Sequence, residues 1–190
     1  MGDSWQYIWN TSQFSSVRIY QHLSGFQPVP PYLNWLWACT CQRRHKVFFW
    51  LLLKDRLNTR NLLRRKNCPL EDYTCILCDQ GREETSQHLF WNCPFAQQCW
   101  KLICPHHSPL TSTSQAVLHL KAKINQSFSM EIIVLTTWAI WITRNNYIFK
   151  QQNPTIAAWR YQFCKEFALL NFRTRPHLKL LLKTWLDNLG

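Results

Sequence analysis

Apolar positions along this chain recur mostly at helical spacing. Residues 43–57 carry a wide apolar face (Val47, Phe48, Phe49, Trp50, Leu51, Leu52, Leu53, Leu57) and predict one helix. Asn58 and Thr59 break it, and Thr59 is suited to cap a second, short helix over 60–66. Upstream, residues 15–23 read as a serine-capped short helix. Residues 32–41 read as helical too, although the two-residue spacing of Trp35 and Trp37 leaves a strand open. Residues 5–9 alternate weakly, as a short strand or an extended lead-in would. Downstream, helices are predicted over 94–103, 114–124 and 129–150, then from Asn153-Pro154 to about Arg173, with a last one starting at Pro176.

Two stretches read as connections: residues 25–31, with three prolines, and residues 104–114, rich in Pro, Ser and Thr. Only four glycines occur in 190 residues, and no internal repeat appears. The expected fold is therefore mainly α. Residues 14–103 form a helical domain, 104–128 a linker with a short helix, and 129–190 a C-terminal helical segment. Residues 132–142 are the most apolar run, but Thr136 and Thr137 interrupt it, and it falls well short of the ~20 residues a membrane span needs. It predicts a buried core helix, with no membrane partner.

The chemistry concentrates between residues 75 and 93. Cys75 and Cys78 are separated by two residues, His88 follows after nine more, and Cys93 after a further four. Three thiols and an imidazole in nineteen residues make the four-ligand complement of a closed, structural Zn²⁺ site. A two-residue gap lets both sulfurs of the first pair face one centre. On an unbroken helix His88 and Cys93 would lie about 140° apart, at ~100° per residue. Pro94 removes that problem: it pushes Cys93 towards extended geometry and is itself a good first residue of the next helix. The predicted site takes one Zn²⁺ and leaves no coordination position open. A second set, Cys99, Cys104, His106 and His107, has no spacing that matches a known finger, and Cys39 and Cys41 beside His45 are weaker still.

Charge adds a second candidate. The chain has 22 basic and 10 acidic side chains, net +12. Nine Lys or Arg against Asp55 leave residues 43–67 at +8. Density of that order is the electrostatic footprint of a polyanion contact, though a solvated face explains most charge runs. Arg43, Arg44, Lys46, Arg56, Arg60, Arg64, Arg65 and Lys66 are the candidate nucleic-acid contacts. Residues 71–84 reverse the sign, five acids against Arg82, so the first part of the cysteine loop is poorly suited to touch phosphate. Residues 160–183, six basic against Glu166, read as a solvated amphipathic helix. Nine cysteines, an odd count, and no basic-then-apolar leader at Met1–Trp5 point to a reducing, intracellular setting, nucleus or cytoplasm, and not to secretion.

Set in order, Phe14-Ser-Ser-Val-Arg-Ile-Tyr20, Trp37, the run from Lys46 to Arg60, Leu62-Leu-Arg-Arg-Lys66, and the cysteine box ending Cys93-Pro-Phe-Ala with Trp100 resemble a known family. It is the reverse transcriptase zinc-binding domain of plant LINE-type (non-LTR) retrotransposon proteins. Trp138-Ala-Ile-Trp141-Ile-Thr-Arg-Asn145 with Phe149 resembles the segment that often follows it. The resemblance implies the four zinc ligands Cys75, Cys78, His88 and Cys93, and nothing catalytic. A polymerase needs two adjacent aspartates for its metal ions; the five here, Asp3, Asp55, Asp72, Asp79 and Asp187, include no adjacent pair. Beyond Glu84 the acids are Glu131, Glu166 and Asp187, too few for a ribonuclease H site. The expectation is a free-standing or truncated copy, not an enzyme. It would contact RNA or DNA non-specifically, with a polymerase or other protein as a possible partner. The alternative is a protein-interaction module or a non-functional remnant.

Overall fold

A computed structural model describes residues 6–8, 11–25, 28–105 and 112–189. Trp5, Trp9, His106 and His107 lie outside the described residues, and Gln6–Ile8 do not form a strand. Two compact units divide the chain, one over 1–31 and one over 32–190. In the first, helix α1 (Ser16–Ser24) is capped by Ser15, whose hydroxyl accepts from Arg18 N. The ring edge of Tyr7 meets Phe14 with centroids 6.0 Å apart.

The second unit is built from α2 (Pro31–Ala38), α3 (Arg43–Leu53), α4 (Arg60–Arg65), α5 (Pro94–Ile103), α6 (Thr113–Ile124), α7 (Ser129–Lys150), α8 (Ile156–Ala168) and α9 (Pro176–Asp187). Among the described residues the only β pairing is an isolated bridge, Thr74 with Glu83. Thr59 caps α4 as its sequence suggests, accepting from Leu62 N. Two boundaries differ from expectation. Helix α3 stops at Leu53 rather than Leu57, because Asp55 turns left-handed (φ 51°). Its N–H bonds Leu52 O, and Arg56 N–H bonds Leu51 O, the paired bonds of a Schellman stop built without glycine. Helix α8 starts at Ile156 and ends at Ala168. A 3₁₀ turn over Leu169–Phe172 takes up the rest of the span expected to run to about Arg173, and α9 starts at Pro176 as expected.

Helix α7 is the centre of the unit. Met130 and Ile132 to Leu135, with Ala139 and Ile140, are buried around its whole circumference, as fits a helix packed on several sides. Two of its hydroxyls bond inside the helix: Thr137 donates to Ile133 O or Val134 O, and Thr143 to Ala139 O. Helices α3, α5, α6 and α8 all pack on it. Helix α3 presents His45, Phe48, Phe49 and Leu52, the three-and-four spacing of one face. Helix α8 presents Trp159, Phe163 and Phe167 four residues apart, their rings stacked in sequence at 5.6 and 5.5 Å. Trp185 of α9 closes on Phe167 at 5.0 Å. Helix α6 buries Ala116, Val117 and Leu120. Residues 129–190 thus share one hydrophobic core with α3 and α5.

One titratable group sits inside this packing. His45 is 1 % exposed, with Nε2 3.4 Å from Glu166, which also takes both oxygens of its carboxylate to Arg44. Burial pulls the imidazole down to about 4, against the upward pull of Glu166, with Arg44 and Arg173 adding to the depression. The unfolded chain then binds more protons than the folded one between pH ~6.5 and ~4, so this contribution is lost as pH falls through that window. It amounts to roughly 2–3 kcal/mol. His45→Gln is expected to flatten the pH dependence of urea unfolding between pH 6.5 and 4; an unchanged slope would contradict the assignment.

Candidate metal centre

Backbone hydrogen bonds shape the cysteine loop. Cys75 N–H donates to Arg82 O at 2.8 Å and Glu84 N–H to Tyr73 O at 2.9 Å, which clamps the stretch carrying Cys75 and Cys78 into a closed finger. Gly81, at φ 62°, makes the turn that Asp79-Gln-Gly81 predicts. On the other side, Ser86 and Gln87 begin a helical turn, and Thr85 Oγ1 accepts from His88 N at 3.0 Å. Residues His88–Asn92 wind as a π turn, and Cys93 N–H donates to His88 O at 2.6 Å. A bond from i+5 to i stacks Cys93 one turn from His88, where a regular helix would splay the two apart. Cys93 is extended (φ −63°, ψ 134°) and Pro94 opens α5, as the residue order predicts.

These backbones bring the four predicted ligands together. One ligand atom from each of Cys75, Cys78, His88 and Cys93 lies within 4.8 Å of the others. The Cys75 and Cys93 sulfurs are 3.8 Å apart, and Cys78 Sγ is 3.3 Å from His88 Nε2. A tetrahedron with Zn–S bonds of ~2.3 Å and a Zn–N bond of ~2.0–2.1 Å has edges of about 3.8 and 3.5 Å, so the donor set fits a single four-coordinate ion. The thiols also crowd one another. Cys93 is held down at about 4, first by a hydrogen bond from Cys75, with His88 and the α5 amides adding to it. Cys75 is pushed far up by that same bond and by burial, and Cys78 is raised by burial. A divalent cation relieves this competition by replacing the shared protons.

Packing makes the site part of the core. Leu89, Phe90 and Trp91, between the last two ligands, are fully buried. Trp91 stacks on Trp100 at 5.2 Å, and Trp100 Nε1 donates to Phe90 O. Phe90 meets Phe48 of α3 and Trp141 of α7, and Trp138 packs on Phe48, so these tryptophans are structural. Cys99 and Cys104 are buried but are not part of the four-ligand cluster, and burial, with the neighbouring Cys93, pushes the Cys99 thiol up.

The basic segment is spread over two helices, and the acidic loop lies across it. Arg60 pairs with Asp72 at 3.2 Å and donates to Thr74 O; Arg64 pairs with Glu83 at 3.4 Å. Arg65 pairs with Asp55 at 2.5 Å, Arg44 with Glu166, Lys46 bonds Trp37 O, and Lys66 bonds Asn58. Arg43 and Arg56 are exposed. The opposite charges of residues 43–67 and 71–84 are therefore one connected surface.

The residue that composition alone did not single out is Glu84. It is 0 % exposed, and Arg144 of α7, 5 % exposed, grips it with Nη2 at 2.6 Å and Nε at 3.3 Å. The same carboxylate accepts from Arg60 N at 3.0 Å, at the start of α4. Arg144 also lies over the Trp141 ring, 4.9 Å from its centroid. Within the motif Trp138-Ala-Ile-Trp141-Ile-Thr-Arg144, three residues turn inward to hold the loop's last acid and the α3 face. The sequence signal for this pairing is an arginine following the most apolar run of the chain.

The family described as zinc-binding in reverse transcriptase matches residues 14–100. No curated protein and no solved structure matches the chain. The match takes in the four ligands, α3, α4 and the start of α5, but stops before Arg144. Residues 14–100 thus match the zinc-binding domain of reverse transcriptase, and they carry a Cys₃His cluster suited to one metal ion.

Proposed function

We propose that the domain holds one structural Zn²⁺ on Cys75, Cys78, His88 and Cys93, and that the α3–α4 surface contacts the phosphate backbone of RNA or DNA without sequence choice. The observation that carries the reading is the +8 charge of residues 43–67, held in place by the metal loop. Its acidic neighbours do not cancel it. Asp55, Asp72 and Glu83 are between 38 and 54 % exposed, and ion pairs of that kind are worth only ~0–1 kcal/mol. A phosphate can take the guanidinium from such a partner at little cost. The zinc ion serves as a staple, since its four protein ligands leave no position for a substrate. The chain is then a binding module without polymerase or ribonuclease H chemistry of its own. The likeness of its motifs, including residues 138–145, to plant LINE-type elements supports a non-LTR retrotransposon origin.

Fluorescence anisotropy with a labelled single-stranded RNA and a duplex DNA tests this. Duplex affinity is expected to fall about a hundredfold between 50 and 200 mM salt, for roughly four phosphate contacts. Arg64→Glu with Arg65→Glu should weaken binding, and Glu83→Lys should strengthen it. No binding at low salt, or affinity indifferent to salt, would sink the reading. Protein partners that survive nuclease treatment would favour a docking module instead.

A further inference from the structure

Outside the metal loop, the fold brings a second pair of thiols together, at the corner between α2 and α3. The chain bends over residues 39–41. Thr40, between the two cysteines, pins that bend to α7: its N–H and its hydroxyl both donate to Glu131 Oε1, at 2.7 and 2.9 Å. The two flanking thiols then fold onto each other. The Cys39 sulfur accepts from the Cys41 thiol and from the Cys41 N–H. Lys46 of α3, whose Nζ donates to Trp37 O at 2.8 Å, brings a positive charge to the same corner. Packing alone asks for none of this, since a buried free cysteine ordinarily serves as a small apolar side chain. A second metal site fits less well: among the described residues the pair joins no cluster of three or more ligand-type side chains beyond the one already described.

The two sulfurs are not equivalent. The bond from the Cys41 thiol, helped by the Cys41 amide and Lys46, holds Cys39 below the ordinary thiol range against burial and the Glu131 charge. Cys41 is pushed well up, first by burial and then by keeping the proton it shares with Cys39. Access differs in the same sense. Cys39 is a wall residue of a cleft of about 390 Å³, ample for a molecule as small as hydrogen peroxide, and Cys41 is not. An accessible, thiolate-forming sulfur with a second thiol already in contact is the arrangement of an attacking and a resolving cysteine.

We propose that Cys39 and Cys41 are an oxidative modification site, in which Cys39 attacks a hydroperoxide and Cys41 closes a disulfide onto it. The Cys39 thiolate takes one peroxide oxygen and expels hydroxide, leaving a sulfenic acid. The Cys41 sulfur then attacks the Cys39 sulfur, the S–S bond forms, and the sulfenic oxygen leaves as water. In sum, two thiols and one hydrogen peroxide give one disulfide and two waters. Exchange with a reducing thiol reverses the step. Thr40, and with it the tie to Glu131, lies inside the ring that the new bond closes.

Peptide mass mapping of the full chain, supplied with zinc and treated with hydrogen peroxide before denaturation and alkylation, tests the assignment. Trypsin releases residues 19–43 as one peptide, which contains Cys39 and Cys41 and no other cysteine. That peptide is expected to lose both alkyl groups and two hydrogens, and dithiothreitol added before alkylation should restore both groups. In Cys41→Ser no resolving thiol remains, so dimedone should capture a sulfenic acid at Cys39. In Cys39→Ser capture at Cys41 should be roughly tenfold lower, because that sulfur is the less accessible and the less ionised. The measurement on the parent chain needs neither variant, so a variant that fails to fold leaves it standing. If the peptide still takes two alkyl groups at a peroxide dose that oxidises the exposed Cys68, or if folded variants are captured equally at the two positions, the proposal fails.

Discussion

Stripping the metal, or replacing Cys75 or Cys93 with serine, is expected to unfold the whole second unit rather than loosen a loop. The reason is where the ligands sit. Cys75 and Cys93 are 3 % and 0 % exposed and belong to the same core as Phe48, Phe90 and Trp100. Without the ion, the buried thiols of Cys75 and Cys93 are left to share a proton inside the core. Structural Zn²⁺ contributes ~10–16 kcal/mol in zinc-finger peptides, against a total of ~5–15 for a typical domain. Serine in place of a thiolate cannot recover that difference. Circular dichroism should therefore show melting collapse on chelation, with one equivalent of zinc released. Cys68→Ser is the control: that thiol is exposed and outside the cluster, so zinc content and melting should not move. Protein purified without stoichiometric zinc, or melting that ignores the chelator, would defeat the reading.

The second large effect is expected at a position with no ligand role. Arg144→Ala should cost about 3–5 kcal/mol in urea unfolding, because it leaves the Glu84 carboxylate buried and unpaired. Glu84→Ala should cost a similar amount, with the N–H of Arg60 losing its acceptor as well. The double variant is the informative one. With both charges gone neither is stranded, so the combined loss should fall well below the sum of the two single losses. Simple additivity would show that the two side chains act separately. The pair also predicts the behaviour of a fragment that ends at residue 103. Such a piece keeps all four metal ligands but strands Glu84 and uncovers the α3 and α5 faces that α7 buries, and it should lack a cooperative transition even with zinc present.

Much of the site was legible from residue order because its determinants are local. The two-residue gap sets Cys75 and Cys78, Pro94 forces Cys93 out of helical geometry, and Thr59 and Ser15 cap their helices through their own next turn. Helices α5, α7 and α9 begin where a proline or an apolar period says they should. Where local signals were ambiguous the reading slipped. Nothing in Lys54-Asp55-Arg56 announces a left-handed Asp55, so α3 reads four residues too long; aspartate tolerates that conformation only with its carboxylate held, here by Ser86 and Arg65. Likewise α8 ends at Ala168, where the residue order reads on to about Arg173; a 3₁₀ turn over Leu169–Phe172 completes that span, and no glycine or proline marks the change.

By itself, then, the order of residues determined the ligand set, the mainly helical class and the surplus of positive charge, all of which depend on neighbours within a few positions. Partnership between distant charges was decided only by the tertiary structure. Glu84 finds Arg144 sixty residues away, and Arg44 finds Glu166. A charge count assigns sign to a segment but not orientation to a side chain. Whether a cation is spent on a buried acid or shared with an exposed one depends on which helices share the core.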